Sequence, residues 1–306
     1  MECERAQDDP RLKHKGRVVW LLRLVYLVAL AAVVVASEVL QKYVDDLWRY
    51  LATNRIFTSV YFETWWVIAC YPVILAVPFA ISKISAFDRY KIETIVQWRG
   101  TCLRQSLYEV VEYGGPLMAL DSLIVKKYDN VDPALWAIRR RGWLQTTRAL
   151  PETSPSLAQV AWQLVASLVI YDAIFYVVHR LLHSNATLYE WVHAHHHTHD
   201  VVCSRVTNRL SIVERLMLVL SANFALKIVH AHPLTRTLFV PVFVFWLVGN
   251  HCGYDLPWAL DKVLPSGVMI SSTEHYRHHV IGTRSYQPFF SYIDNFMANR
   301  DKFKSL

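Results

Sequence analysis

Long apolar stretches separated by charged segments predict that this chain crosses a membrane more than once. Residues 18–40 form the first stretch, and residues 64–81 form the second, which opens with the indoles of Trp65 and Trp66. A helix needs about 20 apolar residues to cross a bilayer, and tryptophan prefers the headgroup depth. Both stretches are therefore predicted to span, with Arg23 reaching back from the first to the interface.

The apolar pattern is less regular in the rest of the chain. Residues 103–125 contain glutamates and Gly114-Gly115-Pro116, so they are predicted to span the bilayer, dip into it or lie on it. Residues 157–178 form a clear membrane segment. The shorter runs 213–229 and 234–249, joined by HAHP, predict a helical hairpin that leaves and returns on one side of the membrane.

Basic residues indicate how the first two segments are oriented. Four precede the first segment and four follow the second: Arg11, Lys13, Lys15, Arg17, Lys83, Arg89, Lys91 and Arg99. The positive-inside rule then places both flanks in the cytosol. A basic loop with Lys126, Lys127, Arg139, Arg140, Arg141 and Arg148 conflicts with simple alternation, because it would lie on the other side. Re-entrant third and fourth segments would remove that conflict.

Composition supports a membrane protein. The 306 residues are 54% hydrophobic, whereas soluble domains are about 45–50% apolar. The net charge of +7 fits a basic rim facing anionic lipid better than nucleic-acid binding. The five cysteines include no CxxC pair, so neither a disulfide framework nor a thiolate metal site is expected. The polar N-terminus before a long apolar segment favours a signal anchor over a cleaved signal peptide.

Histidines are concentrated beside the apolar segments. Of the 14, all except His14 lie between His179 and His279. They form the motifs HRLLH (179–183), HAHHH (193–197) and HYRHH (275–279), and His251 in NHCGYDLPW is a further candidate. Neutral imidazole is the commonest metal ligand in proteins. These motifs flank segments that return to one membrane face, so they are predicted to converge there. His14, His230 and His232 lack partners at ligand spacing and are assigned ordinary hydrogen-bonding roles.

The spacing within the motifs matches one face of a helix. In HAHHH, about 100° per residue brings His193, His196 and His197 towards the same ion, while His195 and His199 face away. Eight or nine imidazoles exceed the needs of one tetrahedral metal, so two ions are predicted. All-nitrogen ligation suits zinc, copper, iron or nickel, and the spacing does not choose among them.

Two polar residues share the helical stripe of the first histidine motif. Stepping back from His179 leads to Tyr176 and Asp172. A carboxylate within an apolar segment is energetically unfavourable and usually marks function. Asp172 is therefore predicted to orient a ligand histidine, with a helix–helix hydrogen bond as the alternative role.

The ordered motifs resemble the fatty acid hydroxylase/sterol desaturase superfamily of membrane di-iron oxygenases. They are YDAIFYVVHRLLH, HAHHH, NRLSIVERL, HPLTRTLF, NHCGYDLPW, HYRHH and YIDNFM, within roughly residues 156–300. HPLTRTLF followed by HCGYDLPW is most similar to the cholesterol 25-hydroxylase branch, and GYDLPW also resembles the C4-methylsterol oxidases. Ala194-His195, Tyr276 and the cysteine of HCGY depart from the usual pattern, but they leave the histidine ligands intact.

The resemblance implies an all-α, polytopic membrane bundle with a di-iron site at its cytosolic face. The implied ligands of the two irons are His179, His183, His193, His196, His197, His251, His275, His278 and His279. Glu214 and Asp255 join Asp172 and Tyr176 as candidates for orienting these ligands, and no catalytic residue is identified beyond the ligands.

The implied reaction is O2-dependent hydroxylation of an unactivated C–H bond in a lipophilic substrate: a sterol-like or other lipid, a terpenoid or a polyketide. NADPH-derived electrons would arrive through cytochrome b5 or a reductase, since the chain has no GxGxxG fingerprint. Desaturation or oxidative C4-demethylation is the alternative activity. A metal-ion transporter is a remote alternative, because transport sites lie near mid-membrane, whereas these motifs flank the segments.

The predicted organisation has four parts. A cytosolic tail (1–17) precedes an N-terminal transmembrane region (18–150), a catalytic domain (151–300) and a C-terminal tail (301–306). In that tail, Lys302 and Lys304 of DKFKSL resemble a KxKxx retrieval signal, which predicts residence in the endoplasmic reticulum membrane.

Overall fold

The structure, a computed structural model, describes residues 10–92, 103–141, 143–197 and 202–304. The helices in these ranges are α1 (Pro10–Val35), α2 (Ser37–Thr53), α3 (Arg55–Thr58), α4 (Phe62–Ile81), α5 (Leu103–Leu123), α6 (Pro133–Ile138), α7 (Leu157–Ser184), α8 (Ala186–Leu188), α9 (Ala194–His197), α10 (Ile212–Ile228), α11 (Pro233–Asn250), α12 (Leu260–Val263), α13 (Ser272–Ile281) and α14 (Tyr292–Lys304). A π-helix covers Tyr189–His193, and 3-10 turns cover Ser85–Tyr90 and Ser204–Asn208. Two short antiparallel strands, β1 (Arg140–Arg141) and β2 (Leu144–Gln145), complete the fold, with Arg140 opposite Gln145. The predicted helical membrane protein is confirmed.

Four helices of the described residues are long and apolar enough to cross a membrane: residues 16–35 of α1, and all of α4, α7 and α11. Their outward side chains are apolar and exposed, as Val73 of α4 is at 69%. Such a surface is unfavourable in water but matches the hydrocarbon of a bilayer.

The contacts between these helices define two ends of the bundle. The histidine face is the end at which α7 delivers His179 and His183 and α11 leads into His251. The opposite face contains the turn between α10 and α11, where the side-chain amide of Gln163, near the start of α7, donates to His230 O at 2.9 Å. The long helices therefore run between two polar ends, as spanning helices do.

The middle of α1 and the segment after α4 both contact loops of the histidine face. Arg23 Nε donates to Val263 O at 2.8 Å, and Ile92 N donates to Gly253 O at 3.0 Å. The guanidinium of Arg23 thus binds the last carbonyls of α12, and its reach to the membrane interface stays a prediction.

The basic loop between α5 and α7 lies on the opposite face, and α7 is a continuous helix. Two of its cations are buried in an ion network formed by Glu63, Asp121, Lys126, Arg148 and Arg236. Lys126 Nζ lies 2.8 Å from Asp121 Oδ1, and Arg148 Nη1 lies 3.2 Å from Glu63 Oε1. Because these two charges are neutralised inside the protein, they do not bear on membrane orientation as free loop charges would. Arg139 and Arg140 of the same loop are exposed, so the conflict with simple alternation is reduced but not removed.

An apolar core fixes the helices that carry the histidines. Tyr171 of α7 packs edge-on against Phe243 of α11, with ring centroids 4.7 Å apart, and Ala225 of α10 is fully buried beside them. On the opposite face, the ring of His232 packs against Trp48 at 4.4 Å, and its Nε2 donates to Thr153 O. His232 thus has the ordinary role expected of it.

Candidate metal centre

The nine histidines singled out in the sequence converge on the histidine face as two groups. The first group contains His179, His183, His193, His197 and His278, and the second contains His196, His251, His275 and His279. Within each group, the ring nitrogens that face one another all lie within 4.8 Å. Most of these rings are buried, although they come from four separate stretches of the chain.

Each HxxHH motif contributes to both groups. His193 and His197 belong to the first group and His196 to the second; His275 and His279 belong to the second, with His278 in the first. The expectation that all ligands of HAHHH face one ion is therefore wrong. Residues i+3 and i+4 lie about 60° and 40° from residue i on opposite sides, so they diverge by about 100°. One motif can thus join two adjacent centres.

Local structure holds the third motif rigidly. Ser271 Oγ accepts from Glu274 N at 3.0 Å and Glu274 Oε2 accepts from Ser271 N at 2.8 Å, which forms a capping box at the start of α13. The helix ends at Gly282, whose φ of +72° is the left-handed conformation that glycine adopts readily. A ten-residue helix fixed at both ends presents its histidines at defined angles.

The outer ring nitrogens of six of these histidines face fixed hydrogen-bond acceptors. The Nδ1 contacts are His179 to Tyr286 O (2.8 Å), His193 to Glu214 Oε1 (2.8 Å), His196 to Arg209 O (3.4 Å), His197 to His279 O (3.3 Å), His251 to Leu247 O (2.8 Å) and His278 to Arg284 O (2.6 Å). A carbonyl oxygen only accepts, so Nδ1 carries the proton and Nε2 keeps its lone pair.

The inner nitrogens then face one another as acceptors. His193 Nε2 lies 3.0 Å from the Nε2 atoms of both His179 and His197, and His251 Nε2 lies 3.3 Å from His196 Nε2. Neutral imidazoles with Nδ1 protonated cannot donate across these contacts. Converging lone pairs of this kind fit a metal cation, and an all-imidazole set fits a transition metal.

Burial keeps these imidazoles neutral. It lowers the pKa of His193 to about 2, of His278 to about 3 and of His251 to about 4, because removal from water penalises the charged ring. The pKa values of His196 and His275 lie well below the usual value for the same reason, and neighbouring imidazoles lower them further. Neutral rings have the lone pairs that a metal requires.

Two of the four predicted orienting residues are linked to the ligands. Glu214 directly accepts the His193 Nδ1 hydrogen bond. Asp172 is linked to a ligand through a backbone segment: it accepts from Phe289 N at 2.7 Å and from the side-chain amide of Gln287. These bonds fix the segment just after Tyr286, whose carbonyl holds His179.

The other two candidates have different partners. The Tyr176 hydroxyl accepts from Arg180 Nη1 at 3.2 Å, and its ring contacts that of Tyr286 rather than a histidine. The prediction that Asp255 orients a ligand is corrected. Its carboxylate pairs with Lys262 Nζ at 2.8 Å, and this ammonium group satisfies the carboxylate locally. The GYDLPW carboxylate thus stabilises the loop after α11.

The backbone carbonyls of Tyr286, Arg209 and Arg284 were not predicted from the sequence. Every residue has a carbonyl, so no residue type marks these positions. The sequence predicts that His195 faces away from the metal. In the structure His195 is exposed and lies outside both groups. His199 and Arg99 lie outside the described residues, as do the side chains of Lys302 and Lys304.

A cavity of about 200 Å³ lies between α4, α5, α10 and α11. At one end its lining residues adjoin the metal centre. Leu247 holds His251 through its carbonyl, and Arg215 follows Glu214 in the chain. Its middle is apolar, with Leu117, Phe239 and Phe243 among the lining residues. An apolar molecule in this cavity would end beside the histidines.

Comparisons with known proteins agree with this geometry. Residues 164–299 match the family model described as fatty acid hydroxylase. The chain is 29% identical to a cholesterol 25-hydroxylase-like protein of Danio rerio over 83% of this chain and 95% of the relative. It is 25% identical to cholesterol 25-hydroxylase of Homo sapiens (82% and 86% covered) and 27% identical to methylsterol monooxygenase 1-3 of Arabidopsis thaliana (82% and 81%). No solved structure matches the chain.

Proposed function

We propose that this chain is a member of the fatty acid hydroxylase/sterol desaturase superfamily and that it hydroxylates an unactivated C–H bond of a sterol-like lipid with O2. The observation that carries this proposal is the convergence of nine imidazoles in two adjacent groups beside an apolar cavity. No protein side chain can oxidise an unactivated C–H bond by acid–base chemistry, so a metal centre next to an apolar cavity is what this reaction requires.

We propose that the two groups hold two iron ions, one with five histidines and one with four. The irons would supply the activation of O2. The protein's part is to aim the Nε2 lone pairs through the Nδ1 hydrogen bonds and to exclude bulk water by burial. Glu214, buried against His193, would increase the basicity of that ring.

Electrons are proposed to come from NADPH through cytochrome b5 or a reductase. The sequence contains no nucleotide-binding fingerprint, which supports an external donor. The basic segment after α4 lies on the histidine face and would offer such a partner a cationic surface beside the metals. We place this face in the cytosol and the protein in the endoplasmic reticulum membrane.

The relatives support a sterol-like substrate but differ in the reaction that their names state. Similarity to the cholesterol 25-hydroxylases favours hydroxylation. Similarity to the methylsterol monooxygenase favours oxidation of a sterol methyl group as the second candidate. Both begin with attack on a C–H bond, so the product distinguishes them.

The test is mass spectrometry of lipid extracts from cells that express the chain under 18O2. We expect a lipid that has gained one labelled oxygen atom, absent with the His196→Ala variant and present with His195→Ala. A product that has lost two hydrogens without gaining oxygen would contradict hydroxylation, and loss of a methyl carbon would favour the second candidate. No new product from folded, iron-loaded protein would contradict both.

A further inference from the structure

The apolar cavity ends, at the opposite face, in polar side chains that the metal centre does not use. This polar end consists of Glu63, Thr64, Asp121, Asn223 and Arg236, all of which line the cavity. Arg236 is only 8% exposed, although it is charged. A buried guanidinium at this end of the cavity needs a reason.

Arg236 is held in place but not fully satisfied. Its Nε and Nη2 donate to the two Glu63 oxygens at 2.9 and 2.7 Å, and Nη2 also donates to Asn223 Oδ1. Within the described residues its Nη1 has no acceptor, while the side chain lines the cavity. A charged donor left without an acceptor is unfavourable, so an acceptor supplied by a ligand is strongly favoured there.

The charges at the polar end specify the kind of acceptor. Each cation already faces a carboxylate: Arg236 and Arg148 face Glu63, and Lys126 faces Asp121. A second anion at Arg236 would lie beside the Glu63 carboxylate and be repelled. A neutral hydroxyl suits the position, because it accepts from Arg236 and can donate to a carboxylate oxygen.

The two ends of the cavity are separated by the length of a lipid. Arg236 and Leu247, which line opposite ends of the cavity, are about eleven residues apart along α11, which is about 16 Å of helix rise. Along α10, Arg215 and Asn223 are about 12 Å apart by the same measure. A lipid with its polar group at Arg236 would bring its far end to Leu247, whose carbonyl holds His251.

The cavity is accessible from the side near its polar end. Ile124, just after α5, and Leu220 of α10 both line the cavity, yet they are 49% and 46% exposed. In a membrane this exposed surface faces lipid, so a lipid could enter between α5 and α10. The opening lies on the half of the bundle away from the metal centre.

From these observations we infer that the polar end anchors the substrate's own hydroxyl, and that the substrate enters from the leaflet on the opposite face. Oxygen is then inserted at the end of the lipid remote from that hydroxyl. Arg236 is the specificity-determining residue, with Glu63 and Asn223 positioning it. The inference rests on the proposed function and adds where the lipid is held.

The test measures binding rather than turnover. Full-length protein in nanodiscs, without an electron donor, is titrated with cholesterol and with cholest-5-ene, which lacks the hydroxyl. We expect cholesterol to bind about tenfold more tightly, as one hydrogen bond to a charged donor provides. The Arg236→Lys variant keeps a cation for Glu63 but removes Nη1, so its preference should shrink to less than about threefold. Equal binding of both sterols to the wild type, or binding of neither, would overturn the inference.

A second pair of variants tests the side opening without disturbing the ion network. Ile124→Trp should slow the association of both sterols several-fold, because the indole narrows the opening. Leu123→Trp is the matched control, since Leu123 is 59% exposed but does not line the cavity, and it should bind as the wild type does. Equal rates for the two variants would overturn the entry route. Iron content and 18O incorporation, measured separately, report on the proposed function alone.

Discussion

The molecule buries two polar clusters at its two faces, and they differ in how their partners are matched. In the ion network every carboxylate has a cation nearby: Arg236 Nη2 lies 2.7 Å from Glu63 Oε2, and Lys126 Nζ lies 2.8 Å from Asp121 Oδ1. In the metal centre, acceptor faces acceptor: the Nε2 atoms of His179 and His193 are 3.0 Å apart.

This difference separates a structural cluster from a metal site. In the ion network each charge faces an opposite charge within the protein, and the donors left without an acceptor among the described residues include Arg148 Nε and Arg236 Nη1. In the histidine groups, the six rings whose Nδ1 faces a fixed acceptor turn their Nε2 lone pairs towards neighbouring rings, and cations between the rings would stabilise that arrangement. Buried polar groups require partners, and here the required partner is not a protein atom.

The largest expected effect is the loss of a metal ligand. His251→Ala removes an imidazole that contacts three rings of the second group, and turnover should fall by more than about 100-fold, since even residues behind a ligand contribute about 10–100-fold. His195→Ala alters an exposed ring outside both groups and should retain most activity. Product yield on matched amounts of protein checks this. Equal losses in the two variants would contradict the assignment of ligands.

A smaller loss of activity is expected from Glu214, which contacts a ligand without belonging to either group. Glu214→Ala removes the acceptor of the His193 Nδ1 proton, so metal affinity or turnover should fall about 10–100-fold. Glu214→Gln keeps an oxygen acceptor and should lose less. If both variants behave like the wild type, the hydrogen bond does not orient His193.

Substitutions in the ion network should change the stability of the protein rather than its catalytic activity. Glu63→Gln leaves buried cations without their shared carboxylate and should lower the free energy of unfolding by about 3–5 kcal/mol. Asp46→Asn breaks an exposed pair with Arg49, whose side chains are 65% and 76% exposed, and should change it by about 0–1 kcal/mol. Thermal unfolding in detergent compares them. The folded fraction of Glu63→Gln should keep wild-type iron content; selective loss of iron would show that the two clusters are coupled.

The smallest expected effect concerns the orientation of the protein in the membrane. The sequon Asn185-Ala186-Thr187 is exposed on the histidine face, where Asn185 ends α7. If that face is cytosolic, the protein made in a eukaryotic host should show no endoglycosidase-sensitive mass. A shift that Asn185→Gln removes would place the metal centre in the lumen instead.

Helical periodicity accounts for the parts of this fold and site that could be predicted from sequence. The spanning helices follow from apolar length, and the nine histidines follow from i, i+3 and i+4 spacing beside those helices. The division of each motif between two groups was not predicted, because a single helical face was assumed to serve a single ion. The carbonyl of Tyr286 and the pairing of Asp255 with Lys262 depend on contacts between distant segments, which local spacing does not report.

The central claim is that each histidine group holds one iron, and the metal content of the purified protein tests it most directly. Inductively coupled plasma mass spectrometry should find two irons per wild-type chain. His183→Ala, in the first group, and His251→Ala, in the second, should each lower this number by at least one, while His195→Ala leaves it at two. One metal per chain, or full turnover after iron has been removed and replaced by zinc, would contradict the account.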